Sequence, residues 1–311
     1  MAYSSDRTPY RIGYTLWPAT FDLSDPAPWL DEAAGVGVDS VEVPLFCTRL
    51  IAAGRLIEPA MRRFTAPFER CGLDRTCHAM LTINLMDAPD MLVRHEAVAR
   101  ANIEVAARLG APRMVLHCGL SDARDERALE AAYARQRDSL ARLGDVAAEH
   151  GVEICVETIW SFDGRETALP SRLAREIAAV GHDAVRATLD FAHASLQCQR
   201  HGADLMAEIH ALAPLTHHLH LNDCFGVKLD MPIALPAEEV AYGSGDTHLP
   251  IGWGALDWER MLTEPAWPDA GLVLNQELHP TFWHALPDDV AEMRRLAGLM
   301  ARRNAGPQAG A

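Results

Sequence analysis

The chain has 311 residues, 49% of them hydrophobic and 23% charged, enough for one large core or two small ones. A formal net charge of −15 and a single lysine, Lys228, argue against a protein that grips nucleic acid through clustered basic side chains. Residues Met1 to Tyr10 lack the basic and apolar segments of a secretory signal, and no later run approaches a membrane span, so a cytoplasmic protein without membrane contact is expected. Seven cysteines with no C-x-x-C spacing read as buried thiols instead of a disulfide framework.

Short β-rich runs alternate with longer helical patterns along the chain, which points to repeated βα units on a parallel sheet. Strands are predicted over Arg11 to Leu16, Ser40 to Leu45 and Thr76 to Ile83, followed by a helix over Met91 to Leu109. The strand Met114 to His117 precedes the clearest amphipathic stripe, Leu129, Tyr133, Leu140, Leu143 and Ala147. Strands at Val152 to Thr158, Ala187 to Asp190, His217 to Leu221 and Leu272 to Glu277 complete a set of eight. Helices are predicted between and after them over Leu169 to Val180, Ala203 to Leu212 and Pro287 to Met300. Gly110, Gly151 and Gly181 fall where helices should stop.

No linker or composition shift divides the sequence, so the expectation is an α/β fold, a (β/α)8 TIM barrel in a single domain over residues 1–311. Its core spans about 11–300, and 304–311 reads as a frayed tail. The longest connection, Asn222 to Trp253 after strand seven, has scattered Pro and Gly and carries Lys228. Loops of that length in a compact barrel are usually functional, so substrate selection is placed there.

A file of acidic and imidazole side chains stands at the ends of the apolar runs: His78, His117, Glu157, Asp190, His193, His220, Asp246, His248 and Glu277. A closed parallel barrel brings all its strand ends to one rim, so residues far apart in sequence converge there. Carboxylates placed directly after apolar runs, as Glu157 and Glu277 are, need a countercharge when buried. Glu157, Asp190, His220 and Glu277 form the inner set, an oxygen-rich donor group suited to one divalent Mn, Mg, Co or Zn ion.

Glu42, at the end of strand two, is aimed at the same rim and reads as a substrate-hydroxyl contact, a partner for an Arg, or a solvated strand end. Trp17, Trp253 and Trp283 fall in rim loops, where an aromatic face can pack on a sugar ring or simply on its loop. Alternation along strand seven puts His218 and His220 on one face and turns His217 toward the helices. His279 is within reach of the rim, whereas His95, His150, His182, His201 and His210 read as solvent-facing.

Four segments together resemble the xylose isomerase-like TIM-barrel superfamily of sugar isomerases, epimerases and endonuclease IV-type apurinic-site nucleases. They are Val-Glu-Thr at 156–158, Leu-Asp-Phe-Ala-His at 189–193, His-Leu-Asn-Asp at 220–223 and Asp-Thr-His-Leu-Pro-Ile-Gly-Trp-Gly at 246–254, and the resemblance runs from Arg11 to Met300. For the epimerase branch it implies a metal on Glu157, Asp190, His220 and Glu277, with the two glutamates serving as acid and base. It also implies a substrate hydroxyl on His193, and a homo-oligomeric assembly. For the nuclease branch it implies up to three zinc ions, the further ligands being His78, His117, His193, Asp246 and His248. His78 and Asn84 match that branch's His-x-x-x-x-x-Asn spacing, but Leu81 replaces the aromatic that enters the duplex.

The sequence therefore predicts a divalent-metal-dependent isomerase or epimerase of a sugar or related hydroxy-carbonyl compound, working by proton abstraction through a stabilised enediolate. Glu157 and Glu277 are the expected catalytic groups, and His193, His78, Glu42, Lys228 and Trp17 the expected substrate contacts. The alternatives are a multinuclear zinc phosphodiesterase and a lyase or dehydratase sharing the first proton-abstraction step.

Overall fold

The computed structural model describes residues 8–268 and 271–304. Eight parallel strands close into one barrel: β1 (Arg11–Thr15), β2 (Ser40–Pro44), β3 (Asp74–His78), β4 (Arg113–His117), β5 (Glu153–Glu157), β6 (Val185–Asp190), β7 (Thr216–Leu221) and β8 (Val273–Gln276). Each strand pairs with its neighbour in sequence, and β8 closes on β1 through Arg11–Val273 to Tyr14–Gln276. The expected single-domain (β/α)8 barrel is what the chain forms. Buried Ile12, Tyr14, Val41, Val43, Leu116 and Leu274 supply the apolar strand surface, because both faces of a barrel strand are covered.

The outer ring contains α1 (Ala27–Val36), α2 (Glu58–Thr65), α3 (Pro89–Leu109), α4 (Glu126–His150), α5 (Pro170–Val180), α6 (Phe191–His201), α7 (Leu205–Leu212), α8 (Pro236–Tyr242), α9 (Trp258–Thr263) and α10 (Leu286–Asn304). Gly110, Gly151 and Gly181 end α3, α4 and α5 in the left-handed region, at φ of 70°, 67° and 62°, where a side chain would be strained.

Several boundaries differ from expectation. Strand three ends at His78 because the chain turns away there, and Asn84 holds the turn by accepting from the Met86 and Leu120 amides and donating to the Leu120 carbonyl. Helix α6 was not expected; it starts directly at Asp190, whose side chain caps it. The connection after β7 is not wholly irregular, since it contains α8 and is clamped by a bridge between Asp223 and Leu249. A two-stranded hairpin, Ile51–Ala52 with Arg55–Leu56, and α9 are further additions. Asn304 belongs to α10 and donates to the Tyr10 hydroxyl at 2.8 Å, so it is no tail; residues 305–311 lie outside the described part.

All seven cysteines are free thiols, and only Cys71 is not buried. Among the described residues, no helix is long and apolar enough to cross a membrane.

Candidate active site

The inner set meets at the C-terminal mouth. Glu157 ends β5, Asp190 ends β6, His220 is the penultimate residue of β7, and Glu277 directly follows β8. One donor atom from each lies within 4.8 Å of the others. His220 Nδ1 is 3.0 Å from Glu157 Oε1, 3.6 Å from Glu277 Oε2 and 3.9 Å from Asp190 Oδ2.

His220 is oriented from below by Glu42, whose carboxylate sits 3.2 Å from Nε2. With the Nε2 proton donated to Glu42, the Nδ1 lone pair points at three carboxylates, an arrangement that calls for a cation between them. Asp190 Oδ1 accepts from the His193 amide at 2.7 Å as the cap of α6, while its Oδ2 is buried without a hydrogen-bond partner. Burial pushes the Asp190 carboxyl up to about 7, against the pull of His193. Burial also pushes Glu157 upward, but the charges of His220 and His117 and the hydrogen bonds of His193 and His220 hold it well below the usual carboxylate range. An orphaned carboxylate oxygen beside an imidazole lone pair fits a divalent-cation site of three carboxylates and one histidine.

Glu42, expected at a substrate hydroxyl, is instead fully buried under His220. Its oxygens also accept from Thr15 Oγ1 at 2.9 Å and from Asn275 Nδ2 at 3.4 Å, and lie 3.0 Å from His218 Nε2. The interior of the barrel mouth is thus a polar layer of β1, β2, β7 and β8 side chains that holds the site from beneath. His217 points the other way, to Glu153 at 3.0 Å.

Two further clusters share the rim. His78 and His117 approach Glu157 Oε2 with Nε2 at 3.1 and 3.4 Å, and the His78 Nδ1 proton goes to the Ala79 carbonyl. His193 and His248 both place Nε2 on Asp246 Oδ2, at 3.0 and 3.1 Å. Their Nδ1 atoms contact the carbonyls of Thr158 and Glu277. His248 adopts φ of +44°, a conformation costing on the order of 1 kcal/mol for a non-glycine residue. Either cluster offers three donor atoms to a metal.

The loop that delivers Asp246 and His248 is fastened to Asp223. This buried carboxylate accepts from the Gly252 amide at 2.8 Å, the Trp258 indole at 3.0 Å and the Cys224 amide at 2.8 Å. A Cβ at Gly254 would collide with the same carboxylate, which explains the Gly-Trp-Gly phrase as a close backbone approach.

A cavity of about 290 Å³ lies over this floor. Glu277, His78, His117, His193, Asp246 and His248 open onto it, whereas Glu157, Asp190 and His220 are covered. Its walls are aromatic: Trp17, Phe21, Phe46, Trp160 and Phe162. The Trp17 ring stands edge-on to His248 and His279, with centroids 5.2 and 5.6 Å away.

The profile of the family described as Xylose isomerase-like TIM barrel matches residues 30–264. The chain belongs to this family. Solved structures with a similar fold include a D-tagatose 3-epimerase-like protein, at 16% identity and TM-score 0.71, over 94% of this chain and 99% of that one. L-ribulose 3-epimerase gives 17% identity and TM-score 0.67, over 97% and 100%. The IolI protein with a bound zinc atom gives 14% identity and TM-score 0.65, over 94% and 99%. At these identities the likeness is one of fold. No curated protein sequence matches the chain.

Within this xylose isomerase-like barrel, most residues singled out by sequence reach the rim, and a few do not. Lys228 pairs with Glu239 at 3.1 Å on the surface, outside the cavity lining. Trp253 is exposed against Phe282, and Trp283 packs on Trp29 and Tyr14. His95 and His182 are not fully solvent-facing: His95 bonds Asp87 at 3.1 Å, and His182 bonds Asp145 at 3.3 Å. Sequence reasoning missed Phe21, Phe46, Trp160 and Phe162. The available signal was their position two to six residues beyond strand ends, close to the rule that singled out the candidate ligands.

Proposed function

We propose that the protein is a divalent-metal-dependent isomerase or epimerase acting on a sugar or similar hydroxy-carbonyl compound. The observation that carries this reading is the meeting of Glu157, Asp190, His220 and Glu277, with the His220 lone pair and the orphaned Asp190 Oδ2 directed at one point. A cation held by these four residues supplies Lewis acidity toward a carbonyl and its neighbouring hydroxyl.

Glu277 is the inner-set carboxylate that opens onto the cavity, so it takes the proton from the carbon beside the carbonyl. Return of a proton to the opposite face of that carbon inverts it, and return to the adjacent carbon isomerises the compound. We assign that return to Glu157, which is covered and reaches the cavity through the His78 and His117 imidazoles that contact it. His193, held between the Thr158 carbonyl and Asp246 Oδ2, lines the cavity, and its Nε2 reaches a substrate hydroxyl by giving up the Asp246 contact. His78 and His117 shield Glu157 from water. The aromatic walls exclude solvent and pack against the apolar face of a sugar.

The test is incubation of the metal-loaded protein with a panel of ketoses in deuterated water. Deuterium on the carbon beside the carbonyl is expected; no incorporation across the panel defeats the reading.

The clusters His193–Asp246–His248 and His78–His117–Glu157 favour a second reading, a multinuclear zinc phosphodiesterase. Opposing it, residue 81 is an exposed leucine and the net charge of −15 repels a polyanion. Two or three tightly held zinc ions per chain together with cleavage of an abasic-site oligonucleotide reverse the ranking.

A further inference from the structure

The space over the metal-binding floor continues beyond Trp17. A second cavity, of about 420 Å³, adjoins the first, and both are lined by Trp17, Asp246 and His248. One side of it is formed by Pro236, Ala237 and Val240 of α8, and the other by His279, Thr281 and Phe282 after β8.

The inner cavity, at about 290 Å³, stands at the lower end of the roughly 300–1,000 Å³ usual for ligand pockets. The outer one is larger, and Thr247 and Thr281 share its lining with Trp17 and Phe282. Flat apolar faces next to hydroxyl groups match a ring with a polar edge. Among the described residues, no Lys or Arg side chain lines either cavity. The one lysine, Lys228, is held by Glu239, itself part of the outer wall. The imidazoles His78, His193 and His248 in this lining already face Glu157 and Asp246, so in the outer cavity, beyond the floor, an anionic group meets Glu239 and Asp246 and no unpaired cationic side chain.

We infer that the site takes an uncharged, two-part substrate: a glycoside or similarly linked pair of rings. The hydroxy-carbonyl ring lies over Glu277, and the second ring lies between Trp17, Phe282 and α8. The inference deepens the isomerase reading and rests on it for which ring lies over the floor. The outer cavity selects substrates by size and neutrality, and α8 gives the long connection after β7 its part in that selection.

Calorimetry on the full-length, metal-loaded protein tests this with glucose, phenyl β-D-glucoside and glucose 6-phosphate as probes. Phenyl glucoside should bind at least about tenfold more tightly than glucose, and glucose 6-phosphate more weakly than glucose. Ala237→Trp, which fills the outer cavity with an indole, should bring the phenyl advantage close to one. Where that variant does not fold, Phe282→Ala, a smaller change to the facing wall, should at least halve the advantage. The inference is overturned by equal binding of glucose and phenyl glucoside, by no binding of phenyl glucoside, by tighter binding of the phosphate, or by an advantage that survives the substitution in a folded variant. Binding is read here without turnover. Failure of deuterium exchange therefore removes the isomerase reading and leaves the ratio standing, whereas a ratio of one removes the two-ring inference alone.

Discussion

The two mouths of the barrel are both lined by charged side chains, yet they treat charge in opposite ways. At the N-terminal mouth a cavity of about 500 Å³ is lined by Arg11, Arg75 and Arg113, and it exceeds the cavity over the candidate site. Each of its guanidinium groups is engaged by partners, although Arg75 Nε and Ser40 Oγ are buried without one. Arg75 donates to the carbonyls of Leu109, Phe68 and Cys71, Arg113 bonds Glu153 and the Gly271 carbonyl, and Arg11 pairs with Asp74 at 3.0 Å. At the C-terminal mouth, Asp190 Oδ2 and Asp246 Oδ1 are buried without partners, and the His220 imidazole faces the carboxylates of Glu157, Glu277 and Asp190. Size does not distinguish the two ends; buried carboxylate oxygens without partners do.

The largest expected effect falls on the C-terminal end. Glu277→Gln should lower kcat by about 10²–10⁴ with an unchanged melting temperature, as steady-state kinetics and thermal denaturation will show. Glu157→Gln should lower metal content as well, because Glu157 touches His78, His117, His193 and His220. Full activity in Glu277→Gln breaks the contrast between the two ends.

Glu42→Gln tests whether support from beneath matters. Losing the charge that orients His220 should weaken metal binding about 10–100-fold in a chelator competition titration. Unchanged affinity assigns Glu42 to packing alone.

Arg75→Ala probes the opposite mouth. It removes three hydrogen bonds from a charged donor to backbone carbonyls and should cost about 2 kcal/mol in urea unfolding while leaving kcat/KM intact. A change in activity without a loss of stability overturns the assignment of this mouth to architecture.

The smallest effect concerns Asp289 on α10, which accepts from the Ile251 amide and Gln276 Nε2 behind the site. Burial pushes its carboxyl up to about 7, against those hydrogen bonds. The fold therefore favours the protonated form, and its contribution to stability is present in full below about 3.8 and lost as pH rises through about 7. Asp289→Asn cannot ionise and should flatten the stability profile over that window, measured by denaturant unfolding at several pH values. An unaltered slope assigns the pH dependence to other groups.

Much of the architecture was legible because the chain writes it locally. Each inner-set carboxylate or imidazole ends an apolar run, and a barrel converts that one-dimensional rule into a ring. Asp190 shows where local reading stops short. The residue was singled out as a candidate ligand, but its role as cap of α6 was missed, although His193 follows at the spacing of a capped first turn. Glu42 shows a second limit. Strand periodicity tells that it points inward, while its depth below His220 depends on the stagger between β2 and β7, which no local pattern records. The aromatic wall was missed for the same reason: Phe21, Phe46, Trp160 and Phe162 come from three separate loops and become one surface only in the closed barrel.

Asp223 separates the connection after β7 into two parts with different mechanical fates. The carboxylate and its backbone bridge to Leu249 tie the chain on either side of residues 225–245, so the stretch that carries α8 leaves and returns through a fixed gate. Changes of length or composition inside that excursion leave Asp246 and His248 anchored. Such a module can be exchanged for another, altering what the barrel accepts while its chemistry stays in place.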